Sequence, residues 1–123
     1  MIIGSVNAFR EAVITLELHG AAGYTETVDA TIDTGYNGYL SVTPAIVARL
    51  QFPFREIRTY ELGSGDLFDF AIHDASILWD GQLQVSACLV TDGGVLVGMS
   101  MLSGYTLFID AIDGGVVRIE ARP

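Results

Sequence analysis

Apolar and polar residues alternate with a period of two along most of this chain, which is the pattern of β-strands with one buried face. Residues 12–18 form the first such run, and residues 24–32 form the second after a turn of glycine and alanine. Two runs joined by a short turn predict a β-hairpin. The tripeptide Asp33-Thr34-Gly35 follows directly after this hairpin.

The segment after the tripeptide carries a short strand and the signals of a helix start. Residues 38–42 predict the strand. Thr43 then predicts an N-cap, and Pro44 suits the first helical position, where no backbone N–H is needed. We expect the helix to end near Gln51, before Pro53. Its buried face is predicted to consist of Ile46, Val47 and Leu50.

A second hairpin is predicted from strands at residues 58–62 and 67–72. Gly63 and Gly65 lie between these strands, and two glycines so close together are a strong turn signal. The segment has two interpretations. It is either a structural hairpin or a flap, a hinged ribbon that closes over a bound substrate and offers backbone hydrogen bonds to an extended peptide.

The rest of the chain is also predicted to be mostly β-strand. Strands are expected at residues 75–79, 83–90, 95–98, 105–112 and 116–120, with one or two helical turns at 99–103. Many short strands with few helices predict an all-β fold, either a closed barrel or a sandwich. The order hairpin, strand and helix recurs faintly in the two halves, around residues 30–35 and 95–98.

Length and hydropathy narrow the class of protein. With 123 residues, the chain is predicted to be one domain spanning residues 1–123. Apolar residues make up 50% of the chain and the mean hydropathy is +0.45, although no run is long enough to span a membrane. The amino terminus lacks the basic region of a signal peptide. The excess apolar surface predicts either a subunit interface or an unusually dry core.

Charge and the candidate ligand residues argue against other functions. A net charge of −9 would repel phosphate backbones, so nucleic-acid binding is not expected. Cys88, the only cysteine, lies in an apolar run and is predicted to be a buried core residue rather than a nucleophile. His19 and His73 have no second ligand at metal-binding spacing, so no metal site is expected. These features suggest a cytoplasmic protein.

The tripeptide Asp33-Thr34-Gly35 is the candidate catalytic feature. A strand, a sharp turn and a second strand would hold one carboxylate where two backbones lie close together. An aspartic peptidase uses two carboxylates that share one proton, because two like charges about 3 Å apart do not both ionise. The motif occurs once in the chain, so a catalytic motif requires a homodimer. The alternative is a structural turn, since Asp-x-Gly is common in turns.

Three ordered segments resemble the retropepsin-like aspartic peptidases of clan AA, particularly the small prokaryotic single-domain type. The segments are residues 32–40 around Asp33, residues 62–65 at the flap tip, and residues 96–110, which begin with an apolar-apolar-Gly signature. The likeness extends over residues 24–120. It implies an all-β, retropepsin-like closed barrel, equivalent to half of pepsin, with one or two short helices, a flap hairpin and a homodimeric assembly.

The resemblance also implies roles for particular residues. Asp33 would be the catalytic carboxylate and would pair with its own copy across a two-fold axis. Thr34 would support the pair through a hydroxyl bond to the opposite loop, and Gly35 would let backbone lie close to the carboxylates. The other implied positions are the flap tip at Gly63, Ser64 and Gly65, the substrate-binding Tyr36 and Asn37, and Gly98 packed beneath the active-site loop.

The implied activity is endopeptidase hydrolysis of a polypeptide substrate. One Asp33 carboxylate would act as general base on a water between the pair, while the other would polarise the scissile carbonyl. This chemistry needs no metal or organic cofactor. The sequence departs from viral members at Tyr36 and Asn37, at Met99-Ser100, and in a longer C-terminal hairpin, which implies a dimer contact built around residues 105–120.

Two rival functions use the same residues. The first is a retropepsin-fold dimerisation or peptide-binding module with little or no turnover. The second is a β-barrel interaction domain in which Asp33-Thr34-Gly35 is only a turn. The second rival predicts an isolated, surface-facing Asp33 and needs no second subunit.

Overall fold

A computed structural model describes residues 1–123, which form ten β-strands, two α-helices and one 3₁₀ turn. The strands are β1 (Ile2–Val6), β2 (Ala12–His19), β3 (Thr25–Ile32), β4 (Leu40–Val42), β5 (Phe54–Glu61), β6 (Leu67–Trp79), β7 (Gln82–Val90), β8 (Leu96–Val97), β9 (Tyr105–Ile109) and β10 (Val116–Ala121). The helices are α1 (Pro44–Leu50) and α2 (Met99–Leu102), and the 3₁₀ turn covers Ala21–Gly23. Neither α-helix has the length and apolar character needed to span a bilayer.

Six of the strands close into a barrel. The strands lie in the order β5-β6-β7-β4-β8-β3-β2-β1-β10-β9, and an additional pairing of β6 with β2 closes the ring. The ring therefore runs β2-β6-β7-β4-β8-β3. β5 lies outside it next to β6, while β1, β10 and β9 extend the sheet beyond β2. The predicted all-β fold is confirmed, and it is the closed barrel rather than the sandwich.

Alternation along the strands places buried side chains in one core, which extends from the barrel to β1 and β10. β2 is buried at every second residue from Ala12 to Leu18, because successive side chains of a strand point to opposite faces. The main core contains 21 buried residues drawn from both halves of the chain. Apolar residues of β2, β6 and β10 therefore meet in one interior.

The first α-helix begins where the sequence predicts it. The Thr43 hydroxyl accepts a hydrogen bond from Ile46 N at 3.3 Å, and Pro44 is the first helical residue. Ile46 and Leu50 are buried, which packs the helix against the core. Gln51 ends the helix in the left-handed conformation, with φ of 54°.

One strand differs from the prediction. The sequence pattern predicts separate strands at residues 67–72 and 75–79, but the structure has one strand of 13 residues, Leu67–Trp79. Pairing with β7 continues without a register shift from Ile72 to Trp79. The alternation breaks because Ile72 and Ala75 are both buried, and Ile72 lies outside the main core. The same strand thus pairs with β5 at one end and closes the barrel against β2 at the other.

The two ends of the chain also depart from the prediction. No strand is predicted at residues 2–6, yet β1 pairs with β2 and β10. Only Val6 in this strand is fully buried, so its periodic signal is weak. The strand predicted over residues 105–112 ends at Ile109, because the following residues form a turn in which Gly115 N donates to Ile112 O at 2.8 Å.

We predict that Leu18→Ala destabilises the closure of the barrel. Leu18 lies opposite Ile77 where β2 pairs with β6, and neither side chain is exposed. Truncating a buried leucine removes apolar contacts and leaves a cavity, so the free energy of unfolding should fall by about 2–5 kcal/mol. Urea unfolding at one fixed protein concentration measures this. The control is Leu83→Ala, whose side chain is largely exposed on β7. Equal losses of unfolding free energy in the two variants would contradict the burial of Leu18 where β2 pairs with β6.

Candidate active site

Asp33 directly follows β3, at the point where the two halves of the chain meet. β3 and β8 pair in parallel, with Ile32 opposite Val97, and Asp33 N donates to Val97 O at 2.9 Å. Residues 33–39 connect β3 to β4 and form the Asp33 loop. β8 also pairs with β4. The faint sequence repeat therefore corresponds to two strands that end side by side, and their pairing fixes where the Asp33 loop begins.

A tight turn orients the Asp33 carboxylate. Gly35 N donates to Asp33 Oδ1 at 2.9 Å, and Tyr36 N donates to the Asp33 carbonyl oxygen at 3.1 Å. A Cβ atom on Gly35 would lie 3.3 Å from Oδ1, so glycine eases this close approach. Asp33 is half-buried and Thr34 is exposed. The turn presents an oriented carboxylate at the surface of one chain.

The loop after the motif is bonded to the turn after β8. Three backbone N–H groups donate to loop carbonyl oxygens: Gly98 to Tyr39 at 2.9 Å, Met99 to Tyr36 at 2.8 Å and Ser100 to Gly38 at 3.1 Å. Gly98 is buried, and a Cβ atom there would overlap the Gly38 carbonyl oxygen. The Ser100 hydroxyl also donates to Asn37 O. The structure therefore places Gly98 directly against the Asp33 loop, in a space that has no room for a side chain.

Tyr36 and Cys88 are neighbouring groups with raised pKa values. Burial raises the pKa of Tyr36 to about 12, with further increases from Tyr60 and Cys88 and an opposing effect from Arg58. Burial also raises the pKa of the Cys88 thiol to about 12. Both groups stay protonated at neutral pH, so neither acts there as a base or a thiolate nucleophile.

The tip of the hairpin formed by β5 and β6 is exposed. Leu62 N donates to Asp66 O and Gly65 N donates to Leu62 O, both at 2.9 Å. Gly65 has a positive φ of 87°, a conformation that favours glycine. Gly63 and Ser64 are also exposed. The tip is thus a hydrogen-bonded turn whose side chains are exposed to solvent.

Strand β5 of this hairpin lies near the Asp33 loop, whereas the hairpin tip does not line the cavity beside Asp33. Tyr60 and Arg58 of β5 act electrostatically on Tyr36, which places the two segments close together. Gly63, Ser64 and Gly65 are absent from the lining of the cavity beside Asp33. The structure therefore brings together Asp33, Thr34, the following loop and Gly98, and the hairpin tip does not line the cavity beside Asp33.

A cavity of about 980 Å³ opens beside Asp33. Its lining includes Asp33, Thr34, Arg10, Glu11, Ile109 and Ile112. The turn that carries Arg10 and Glu11 is held by Asn7, whose side-chain oxygen accepts from Phe9 N and Glu11 N, both at 3.0 Å. Sequence reasoning missed this wall of the cavity. The only local signal for it is Asn7, a residue that favours turns of this kind.

The histidines stand apart from one another and from any ligand cluster. His73 Nδ1 lies 2.8 Å from the Phe52 carbonyl oxygen, and His19 lies beside Glu17. No group of three or more His, Cys, Asp or Glu side chains in the chain is arranged to hold a metal ion.

Comparison with known proteins supports the fold. No protein-family model matches the chain, and no curated protein sequence matches it. The structure is similar to the crystal structure of a retropepsin-like aspartic protease from Rickettsia conorii, with a TM-score of 0.63 and 18% sequence identity. The match covers 99% of this chain and 91% of that chain. The chain therefore has a retropepsin-like, all-β closed-barrel fold.

We predict that Gly98→Ala displaces the Asp33 loop. The added methyl group would overlap the Gly38 carbonyl oxygen and lie 2.8 Å from the Tyr36 carbonyl oxygen. Overpacking against backbone should lower the free energy of unfolding by about 1–3 kcal/mol, measured by urea unfolding. Gly93→Ala is the matched control, because its Cβ would meet no atom closer than 3.8 Å. A Gly98→Ala protein as stable as this control would contradict the packing described.

Proposed function

We propose that this protein is a homodimeric aspartic endopeptidase that hydrolyses peptide bonds through a water held between two Asp33 carboxyls. The observation that carries the proposal is the Asp33 carboxylate itself, fixed by the Gly35 amide where β3 and β8 end side by side. The retropepsin-like fold supports it, as does the description of the Rickettsia conorii protein as an aspartic protease. The lone cysteine, Cys88, is consistent with a cytoplasmic location.

The mechanism follows from one carboxyl group per chain. In the proposed dimer the two Asp33 side chains share a proton, because both cannot be ionised at about 3 Å separation. The ionised carboxylate takes a proton from the water as it attacks the scissile carbonyl. The protonated carboxyl polarises that carbonyl oxygen and then supplies a proton to the leaving amine. The Gly35 N–H keeps one Asp33 oxygen oriented throughout.

Other residues have supporting roles in this proposal. Thr34 is exposed beside Asp33, where its hydroxyl would bond to the partner's loop. Asn37 and the flap residues Gly63, Ser64 and Gly65 would contact the extended substrate. The flap tip does not line the cavity beside Asp33 in the single chain, and in this proposal substrate binding would bring the flap over the cleft. Gly98 supports the loop from below.

The second copy is proposed to dock on the face that holds the cavity beside Asp33. The proton-sharing pair requires the two-fold axis to pass near Asp33, and an isologous interface places the same surface on both sides. Ile112 is 66% exposed and lines this cavity. Arg10 lies on the same wall as Glu11 and Asp113, so symmetry would give each chain a basic group and acidic groups to offer its partner.

We predict that Asp33→Asn abolishes peptide cleavage. Digestion of a peptide library between about pH 3 and pH 8 should give bell-shaped activity for the wild type, because the pair works only with one proton. The asparagine variant can neither share nor transfer that proton, so kcat/KM should fall by a factor of about 10²–10⁴ or more. The readout is mass spectrometry of the products.

Asp29→Asn is the control for this experiment. Asp29 is exposed on β3, four residues before Asp33, and its side chain faces Thr15. This variant should cleave as the wild type does. Equal cleavage by the wild type and Asp33→Asn would contradict the peptidase. Binding of peptides by both without cleavage would instead establish the peptide-binding module.

We predict that Ile112→Asp weakens the dimer. A charge in place of this exposed apolar side chain would have to be desolvated in the proposed interface, so the dissociation constant should rise at least about tenfold, which corresponds to about 1.4 kcal/mol. Sedimentation velocity over a dilution series measures this. Val85→Asp is the control, since Val85 is similarly exposed on β7 and does not line the cavity. An unchanged dissociation constant in Ile112→Asp would contradict the docking face.

A further inference from the structure

The side chain of Tyr36 is folded back onto its own loop. Its hydroxyl donates to the Leu40 carbonyl oxygen at 3.4 Å, and its ring lies over Gly38, where any Cβ atom would overlap the ring. Tyr36 is half-buried, in contrast to Tyr39 on the same loop, which is 48% exposed. The ring of Tyr36 is therefore part of the packing beneath the loop.

The same ring also contacts the turn at Gly98, which follows β8 and is called the Gly98 turn below. A Cβ atom on Gly98 would lie 2.7 Å from Tyr36 Cδ2, so the ring occupies the space that the glycine leaves open. The Tyr36 backbone is bound at both ends, with its N–H on the Asp33 carbonyl oxygen and its carbonyl oxygen on Met99 N. One residue thus joins Asp33 to the Gly98 turn through both its backbone and its side chain.

Strand β5 of the flap lies close to the same loop. Tyr39, three residues further along the loop, shares a surface cavity with Arg55 of β5 and Asp74 of β6, which form an ion pair. The influence of Tyr60 and Arg58 on Tyr36 places β5 beside the ring as well. Tyr60 is itself held edge-on against Phe70 of β6, with ring centroids 5.8 Å apart.

We propose that Tyr36 is a positioning residue for the proposed peptidase, whose ring holds the Asp33 loop against the Gly98 turn and beside strand β5 of the flap. This inference rests on the proposed function. The ring excludes other conformations of the loop by filling the space at Gly38 and Gly98. It thereby fixes the direction in which each Asp33 carboxyl faces its copy. Because the contribution comes from shape, the ring matters and the hydroxyl does not.

The test compares three tyrosine variants that separate the ring from the hydroxyl. Tyr36→Phe keeps the ring and loses only a hydrogen bond that is long at 3.4 Å. Tyr36→Ala removes the ring. Tyr39→Ala is the matched control, since it removes an exposed tyrosine from the same loop and keeps the backbone bond from Gly98 N.

We expect Tyr36→Ala to lower kcat by about 10²-fold with a much smaller change in KM, because misplacing a reacting group by about 1 Å acts on the transition state. Tyr36→Phe keeps the ring, so its kcat should stay within about threefold of the wild-type value. Tyr39→Ala should leave kcat near the wild-type value. A kcat for Tyr36→Ala equal to that of Tyr39→Ala would overturn the proposal.

Amide hydrogen exchange provides a readout that needs no activity. In Tyr36→Ala, exchange should be about tenfold faster over residues 33–39, 54–61 and 97–101, and unchanged in the hairpin of β9 and β10. Faster exchange everywhere, or no change over residues 33–39, would overturn the proposal. If the alanine variant does not fold, Tyr36→Leu replaces it with the same expected pattern and a smaller effect. A wild type that cleaves no peptide would refute the peptidase alone, and exchange would then decide the role of Tyr36.

Discussion

The parallel pairing of β3 with β8 is the constraint on which the site depends. Two short strands from opposite halves of the chain end side by side, joined by the bond from Asp33 N to Val97 O. The loop that leaves β3 must then pack on the turn that leaves β8, and Gly98 makes that contact close enough for three backbone hydrogen bonds. The carboxylate of Asp33 is therefore placed by the closed barrel rather than by a flexible surface loop.

This arrangement also explains why one chain is half of the proposed site. Asp33 receives an amide hydrogen bond from Gly35 and has one face open beside a large cavity. A single carboxylate in that position lacks the proton-sharing neighbour that the mechanism needs. The exposed apolar residues and the charged turn around the cavity offer a surface for the second copy. The loop packing around Tyr36 would then keep two identical carboxyls facing one another.

Local signals in the sequence predicted some parts of the structure and long-range pairing decided the others. Alternation in β2 and the Thr43-Pro44 pair predicted a strand and a helix start, because each depends on neighbouring residues alone. The continuity of β6 was missed because the alternation of buried residues changes between Ile72 and Ala75, and its closure against β2 could not be predicted because β2 is distant in sequence. The turn at Asp33 was predicted from its motif, whereas the catalytic role of Asp33 stays a prediction. The cavity wall at Arg10 was missed because only Val6 is buried among residues 2–6. The sequence pattern therefore predicted neither β1 nor the turn that follows it.

The central claim is that two Asp33 carboxyls act as one site, and its most direct test is the stoichiometry of transition-state binding. A peptide with a hydroxyl-bearing tetrahedral centre in place of the scissile bond mimics the attacked carbonyl, and such analogues bind more tightly than substrates. Calorimetric titration should give one bound peptide per two chains, with binding lost in Asp33→Asn. One peptide per chain, or equal binding by the asparagine variant, would contradict the shared pair.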